Sequence, residues 1–139
     1  MLKTLIENWE AFPKNSPGTL QTVIKKLKLM IIPKNEHIIR VGEVAEEMFF
    51  IVKGFCKVVK VDGLELATLK QGQNFGEMAL LEAKNPLRTA SVISLTKCSL
   101  AVLTRADFEH IGEMYPAFKD KIFELVRKRK MANQQKEKD

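Results

Sequence analysis

Between residues 29 and 104 the chain is written in short runs of Ile, Val, Leu and Phe broken by glycine or proline, while on both sides of that stretch the apolar residues recur at helical spacing. The change of period fixes what the chain can become. Segments 29–32, 37–41, 47–53, 55–61, 64–70 and 88–103 read as strands. Asp62-Gly63 between two of them signals a tight hairpin, and Gly42, Gly54 and Gly72 mark other junctions where a positive φ costs glycine little. Ahead of the strands, Leu2, Leu5, Ile6 and Trp9 predict a helix of about three turns, ended by Pro13 and the Ser16-Pro17-Gly18 cluster. Ser16 reads as the cap of a second helix, with proline at its first position and Leu20, Val23, Ile24 and Leu27 on its buried face. After Thr104, a cap with Asp107 three residues on, Phe108, Ile111 and Met114 share a face. Tyr115-Pro116 breaks that helix, and a last one carries Phe118, Ile122, Leu125 and Val126 before a polar tail that cannot bury enough apolar surface to order itself. The expected fold is α+β, an antiparallel jelly-roll barrel of about eight strands flanked by N-terminal and C-terminal helices. Its parts are N-terminal helices over 1–28, a barrel over 29–104, hinge and last helices over 105–131 and a tail over 132–139.

At 139 residues, 45% hydrophobic and 29% charged, the chain suits one domain with a single core. No apolar run approaches the roughly 20 residues needed to cross a bilayer, and Glu7 interrupts what would be the apolar core of a signal peptide, so membrane insertion is not expected. The net charge of +6 would suit a polyanion. Much of it lies in Lys25-Lys26-Lys28 and Arg127-Lys128-Arg129-Lys130, on helices or their ends, with no helix-turn-helix or aromatic RNA-binding pattern beside it. Solvated helix faces are expected and nucleic acid is not; a protein partner or an anionic membrane surface stays open. Cys56 and Cys98 lie far apart in sequence, with no CxxC and no nearby histidine pair, so neither metal nor disulfide chemistry is expected and a reducing intracellular setting fits. His37 and His110 are isolated and read as a strand residue and a helix-surface residue.

Chemistry concentrates in residues 75–91. Phe75-Gly76-Glu77-Met78-Ala79-Leu80-Leu81 reads as a glycine opening a short apolar helix, and Pro86-Leu87-Arg88-Thr89-Ala90-Ser91-Val92 returns a lone arginine just before a strand. A helix start presents backbone N–H groups without intrahelical partners, which favours an anion there. Arg88 adds a planar fork of donors that matches two phosphate oxygens.

With these parts in this order, the chain resembles the cyclic-nucleotide-binding domain family over nearly its whole length. Gly42-Glu43, Glu47-Met48-Phe49-Phe50-Ile51 and Gly54 look like the family's strand pair, Pro33 to Arg40 looks like its entry strand, and 75–91 looks like its phosphate-binding cassette. The resemblance implies that Arg88 pairs with the cyclic phosphate and that Glu77 accepts from the ribose 2′-hydroxyl. Gly76 and the backbone N–H groups of Met78 and Ala79 would complete the cradle. Thr89, directly after the arginine, makes a guanine contact available without excluding adenine, so the implied ligand is cAMP or cGMP, with no cofactor and no metal. Val58, Ala67 and Leu69 match wall positions that contact the base, and also suit plain core. Arg129 corresponds to a lid position on the last helix, and also suits a solvated charge. The twelve residues from Gly76 to Arg88 exceed the family's commonest interval of ten, so that either Arg88 sits in an altered register or, as is favoured, the loop Glu82 to Leu87 bulges outward.

The stretch Asp107 to Pro116, with Phe12, Ser16-Pro17-Gly18 and Lys26-Leu27-Lys28, looks like the cytosolic domain of cyclic-nucleotide-gated and hyperpolarisation-activated ion channels. The expected function is nucleotide sensing as the cytoplasmic module of a larger membrane channel, with contact to the rest of that channel and self-association through the terminal helices. Two alternatives keep the fold: a regulatory domain of a cyclic-nucleotide-dependent kinase, or an interaction module that no longer binds nucleotide. An enzyme is not expected, since no paired carboxylates or histidine cluster sit near the cassette.

Overall fold

Alternation along two strands organises the molecule. In the computed structural model, which describes residues 2–9, 12–77, 80 and 86–138, eight strands follow two helices: α1 (Leu2–Glu7), α2 (Pro17–Lys26), β1 (Lys28–Ile32), β2 (His37–Ile39), β3 (Glu47–Lys53), β4 (Phe55–Lys60), β5 (Glu65–Lys70), β6 (Asn74–Phe75), β7 (Ala90–Ser94) and β8 (Cys98–Thr104). Helices α3 (Arg105–Met114) and α4 (Pro116–Lys138) come last. The strands form two four-stranded sheets, ordered β1-β8-β3-β6 and β2-β7-β4-β5, with every pairing antiparallel. On β3 and β8, Phe49, Ile51, Cys98, Leu100 and Val102 face the roll interior, whereas Met48, Phe50, Ala101 and Leu103 face the helices. Being covered on both sides, these two strands read as continuous apolar runs instead of alternating ones.

The outer cluster is built on Ile6, Trp9, Phe12, Val23, Phe108, Ile111, Phe118 and Ile122. Trp9 meets the ring of Phe50 edge-on at 4.8 Å between centroids and that of Phe118 at 6.0 Å, the geometry aromatic quadrupoles favour. One aromatic thus ties the N-terminal segment to β3 and α4.

Several local expectations hold. Thr104 Oγ1 accepts from the Asp107 N–H at 3.2 Å, capping α3. Tyr115 separates α3 from α4 because Pro116 has no N–H and disfavours helical geometry in the residue before it. Asp62-Gly63 turns the β4–β5 hairpin, with Asp62 Oδ1 accepting from the Leu64 N–H and Gly63 at φ +89°.

Others are corrected. Helix α1 has six residues, not about three turns: Trp9 and Phe12 are buried from the connecting segment, so apolar spacing there reports burial without helix. Ser16 occupies the expected N-cap position with Pro17 first in α2, but its hydroxyl makes no cap bond and donates instead to the Lys14 carbonyl at 3.3 Å. The run 88–103 splits at Leu95-Thr96-Lys97 into β7 and β8, and β6, two residues long, is too short to leave a pattern. Met114 is 48% exposed and does not join Phe108 and Ile111. Helix α4 continues to Lys138 through the stretch expected to be a tail, which holds no glycine or proline and consists mostly of good helix formers.

Candidate functional site

The cassette is assembled at the start of β3. Gly76 has φ +81°, a region costly to residues with a Cβ, and a Cβ there would stand 3.0 Å from Arg88 Nη1 and 3.2 Å from the Glu47 carbonyl. Glycine is therefore required both by conformation and by the approach of the arginine. Arg88 donates from Nη1 to the Gly76 carbonyl at 3.1 Å and from Nη2 to the Glu47 carbonyl at 2.6 Å. Partial burial lowers the pKa of its guanidinium, against the opposing pull of Glu47, Glu77 and Glu43. It stays a cation, and its five N–H groups exceed the two carbonyls it serves among the described residues. Donors remain for an anion.

The backbone around Arg88 is fixed by the opposite loop. The Ala45 N–H donates to the Pro86 carbonyl at 2.7 Å, the Arg88 N–H to the Glu43 carbonyl at 2.8 Å, and the Gly42 N–H to the Arg88 carbonyl at 2.9 Å, with an isolated bridge between Val44 and Leu87. Glu43 also accepts from the Arg40 N–H at 2.8 Å, closing its own turn. These bonds hold Arg88 against Gly76 despite the twelve-residue interval. Residues 81–85 of the longer loop, and Met78 and Ala79 of the expected cradle, lie outside the described residues.

Glu77 is only 5% exposed, and its Oε1 accepts from Arg129 Nη1 at 2.5 Å. Arg129, half-buried on α4, also donates to the Asn74 carbonyl at 3.4 Å and from Nη2 to Asn74 Oδ1 at 3.1 Å. The last helix is thereby joined to the cassette by a charge-assisted contact across 52 residues of sequence. Arg129 is therefore not merely a solvated charge. Asn74, which supports Arg129, is missed by sequence reasoning, because it sits in the polar run Lys70-Gln71-Gly72-Gln73-Asn74 where nothing sets it apart. Its Oδ1 is used, while its buried Nδ2 has no partner among the described residues.

The expected base wall lies on the other sheet. Val58 stands opposite both Ala67 on β5 and Val92 on β7, and Leu69 stands opposite Cys56. Val58 and Leu69 are half-buried against the interior cluster, and Ala67 is exposed. Thr89 is exposed beside the arginine. Since Val92 of β7 pairs with Val58 and Arg88 stands two residues before β7 begins, the arginine leads into the strand that neighbours the wall. The structure thus gathers Gly76, Glu77, Arg88 and Arg129 into one cluster, with Val58, Ala67 and Leu69 on the adjoining wall. Among the described residues no group of three His, Cys, Asp or Glu side chains is placed to hold a metal ion.

Comparison with known proteins agrees with this geometry. The family model described as cyclic nucleotide-binding domain matches residues 29–115. A cyclic nucleotide-gated cation channel of Drosophila melanogaster is 38% identical over 110 residues, covering 76% of this chain and 16% of the channel polypeptide. The mouse voltage-gated inwardly rectifying potassium channel KCNH7 is 33% identical over 118 residues, covering 85% of this chain and 10% of the channel. The chain therefore spans a small fraction of the length of these relatives. Among solved structures, the catabolite activator protein of Thermus thermophilus superposes with a TM-score of 0.79 at 21% identity, over 91% of this chain and 61% of that one, and so shares the fold. A glycine-dependent cassette closed by an arginine, on an eight-stranded jelly roll whose family model covers the barrel and the helix after it, places this chain in the cyclic nucleotide-binding domain family.

Proposed function

We propose that the domain binds cAMP or cGMP as the sensing module of a gated channel and reports occupancy through α4. The observation that carries the reading is the placement of Arg88, with donors to spare, and of buried Glu77 on either side of Gly76, with Arg129 of α4 on the same carboxylate. Arg88 would take the cyclic phosphate, Glu77 the ribose 2′-hydroxyl and the Val58–Leu69 wall the base, with Thr89 within the site's rim for a guanine. A carboxylate with no metal cluster beside it among the described residues suits holding a hydroxyl better than hydrolysing a phosphodiester. Nucleotide moves α4 only to the extent that it binds one arrangement better than another. The channel context rests on the relatives above, and no helix among the described residues is long and apolar enough to cross a membrane.

Calorimetric titration of cAMP and cGMP into the wild-type domain and into Arg88→Ala tests the assignment. The arginine deletion is expected to weaken binding by about 1.5–3 kcal/mol, on the order of 10- to 150-fold, for loss of one charge-assisted contact. Equal binding by both proteins would reassign Arg88. Absence of heat with wild type at high micromolar nucleotide would favour the second reading, a jelly roll that serves in assembly without ligand, for which the engagement of Glu77 by Arg129 and of Arg88 by two carbonyls is the supporting observation.

A further inference from the structure

The two cysteines, 42 residues apart in sequence, meet inside the roll: Cys56 Sγ on β4 and Cys98 Sγ on β8 are 3.7 Å apart, both fully buried and both free thiols. The strands belong to different sheets, so this is a point where the two halves of the roll approach each other. A glycine roofs the sulfur of Cys98. A Cβ on Gly54 would lie 2.8 Å from it, and Gly54 is held at φ +110° by the turn it makes. The same glycine, with Phe55, Thr96 and Lys97, lines a surface depression of about 450 Å³ whose remaining walls are Lys53, Lys70 and Gln71. No carboxylate lies within ion-pair distance of these three lysines among the described residues. A small neutral oxidant thus meets only a thin glycine cover over the Cys98 sulfur, at a depression ringed by lysines.

We propose that Cys56 and Cys98 form a peroxide-driven cross-sheet disulfide, with Cys98 oxidised first and Cys56 resolving it. In the first step the Cys98 thiolate attacks one peroxide oxygen, the O–O bond breaks, and Cys98 sulfenic acid and hydroxide result. In the second the Cys56 sulfur attacks the Cys98 sulfur, the S–O bond breaks, and the oxygen leaves as water with the Cys56 proton. Two thiols lose two electrons to one peroxide, which becomes two waters. The order of steps follows from position. Cys98, not Cys56, lies under Gly54 at the depression, while burial first, and then the neighbouring Cys98, push the Cys56 thiol up to about 12. Cys98 donates weakly to the carbonyls of Thr96, at 3.3 Å, and Phe55, at 3.4 Å, in the turns beneath the depression.

Exposure of the reduced native domain to hydrogen peroxide, followed by alkylation, non-reducing digestion and mass spectrometry, tests this. The expected result is loss of both thiols together, a linked Cys56–Cys98 peptide two hydrogens lighter than its reduced parts, no dimer, and full recovery with dithiothreitol. In Cys56→Ser, dimedone should label Cys98. Retention of both thiols at peroxide levels that oxidise the urea-unfolded chain would overturn the proposal, as would disulfides found only between chains. Because the wild-type readout needs no variant, a misfolded Cys56→Ser leaves the central claim testable.

Discussion

The pair Glu77–Arg129 gives the most direct measure of how strongly α4 is bound to the cassette. Replacing Arg129 with alanine removes the 2.5 Å contact and the two bonds to Asn74, and leaves a carboxylate that is 5% exposed without its cation. For a fully buried pair the loss would be about 3–5 kcal/mol, and for an exposed one below about 1 kcal/mol. The Arg129 side chain is 32% exposed, so water already screens part of the interaction, and about 2 kcal/mol is expected. Glu77→Gln keeps the shape of the acceptor and leaves the more exposed arginine to solvent, at about 1 kcal/mol. The double variant should cost about 2 kcal/mol, short of the sum of the singles by roughly 1 kcal/mol of coupling. Urea unfolding followed by Trp9 fluorescence measures this, since Trp9 is the only tryptophan and is packed on Phe50 and Phe118. If α4 opens without global unfolding, the same free energy emerges as an amide-exchange increase of about 30-fold confined to α4. Strict additivity within about 0.3 kcal/mol, together with unchanged exchange in α4, would refute the claim that this pair fastens the helix.

Gly76→Ala should destabilise the domain by about 2 kcal/mol in urea titration, because the new Cβ costs about 1–2 kcal/mol at φ +81° and crowds Arg88 Nη1 and the Glu47 carbonyl; nucleotide titration of the folded fraction should show at least about tenfold weaker binding. Thr104→Ala removes the acceptor for the Asp107 N–H and should lower stability by about 1 kcal/mol, with Thr104→Ser restoring most of it, read from urea midpoints. Alkaline pH should destabilise the reduced protein through Cys56, whose thiol is raised from 9.0 to about 12 by burial and by Cys98. Below about pH 9 both folded and unfolded states hold the proton and nothing changes; between about pH 9 and 12 the unfolded chain releases it first, so stability falls by up to about 1.4 kcal/mol per pH unit. The difference in stability between wild type and Cys56→Ala, followed from about pH 8 to 10.5, should be flat and then decline, and a flat difference throughout would contradict it.

How far the sequence is legible follows from the range of each interaction. Glycine punctuation, the Asp62-Gly63 turn, the Thr104 cap and the Tyr115-Pro116 break are decided within a few neighbouring residues, and all are found. The cassette is legible for the same reason: Gly76 and Arg88 sit in one contiguous motif. Trp9 misleads because its burial against Phe50 of β3 and Phe118 of α4 mimics the spacing of a longer helix, a tertiary effect that local periodicity cannot distinguish. Nothing in the sequence relates Cys56 to Cys98, because spacing carries no information about two strands on opposing sheets. Asn74 and Arg129 are joined over 55 residues, and within the basic run 127–130 only the family resemblance sets Arg129 apart, leaving a solvated charge equally suitable. The angular position of α4 on the roll decides between the two, since Arg129 alone of that run has an ion pair to the cassette among the described side chains.

That selection bears on how a ligand and the helix can share one carboxylate. Arg129 takes Oε1 of Glu77, and a carboxylate has acceptor sites on both oxygens, so a ribose hydroxyl at Oε2 need not displace it. Were the two to bind together, each would order Glu77 for the other and save part of its cost of immobilisation; were they to compete, nucleotide would release α4. Thermodynamic reciprocity makes the alternatives distinguishable: the factor by which Arg129 changes nucleotide affinity must equal the factor by which nucleotide changes the closing of α4 through Arg129, in the same direction. The second carboxylate oxygen, the short bond to Arg129 and the support of that arginine by Asn74 on strand β6 all favour joint occupation. On the proposed function, joint occupation would make the ligand reinforce the contact that holds the helix.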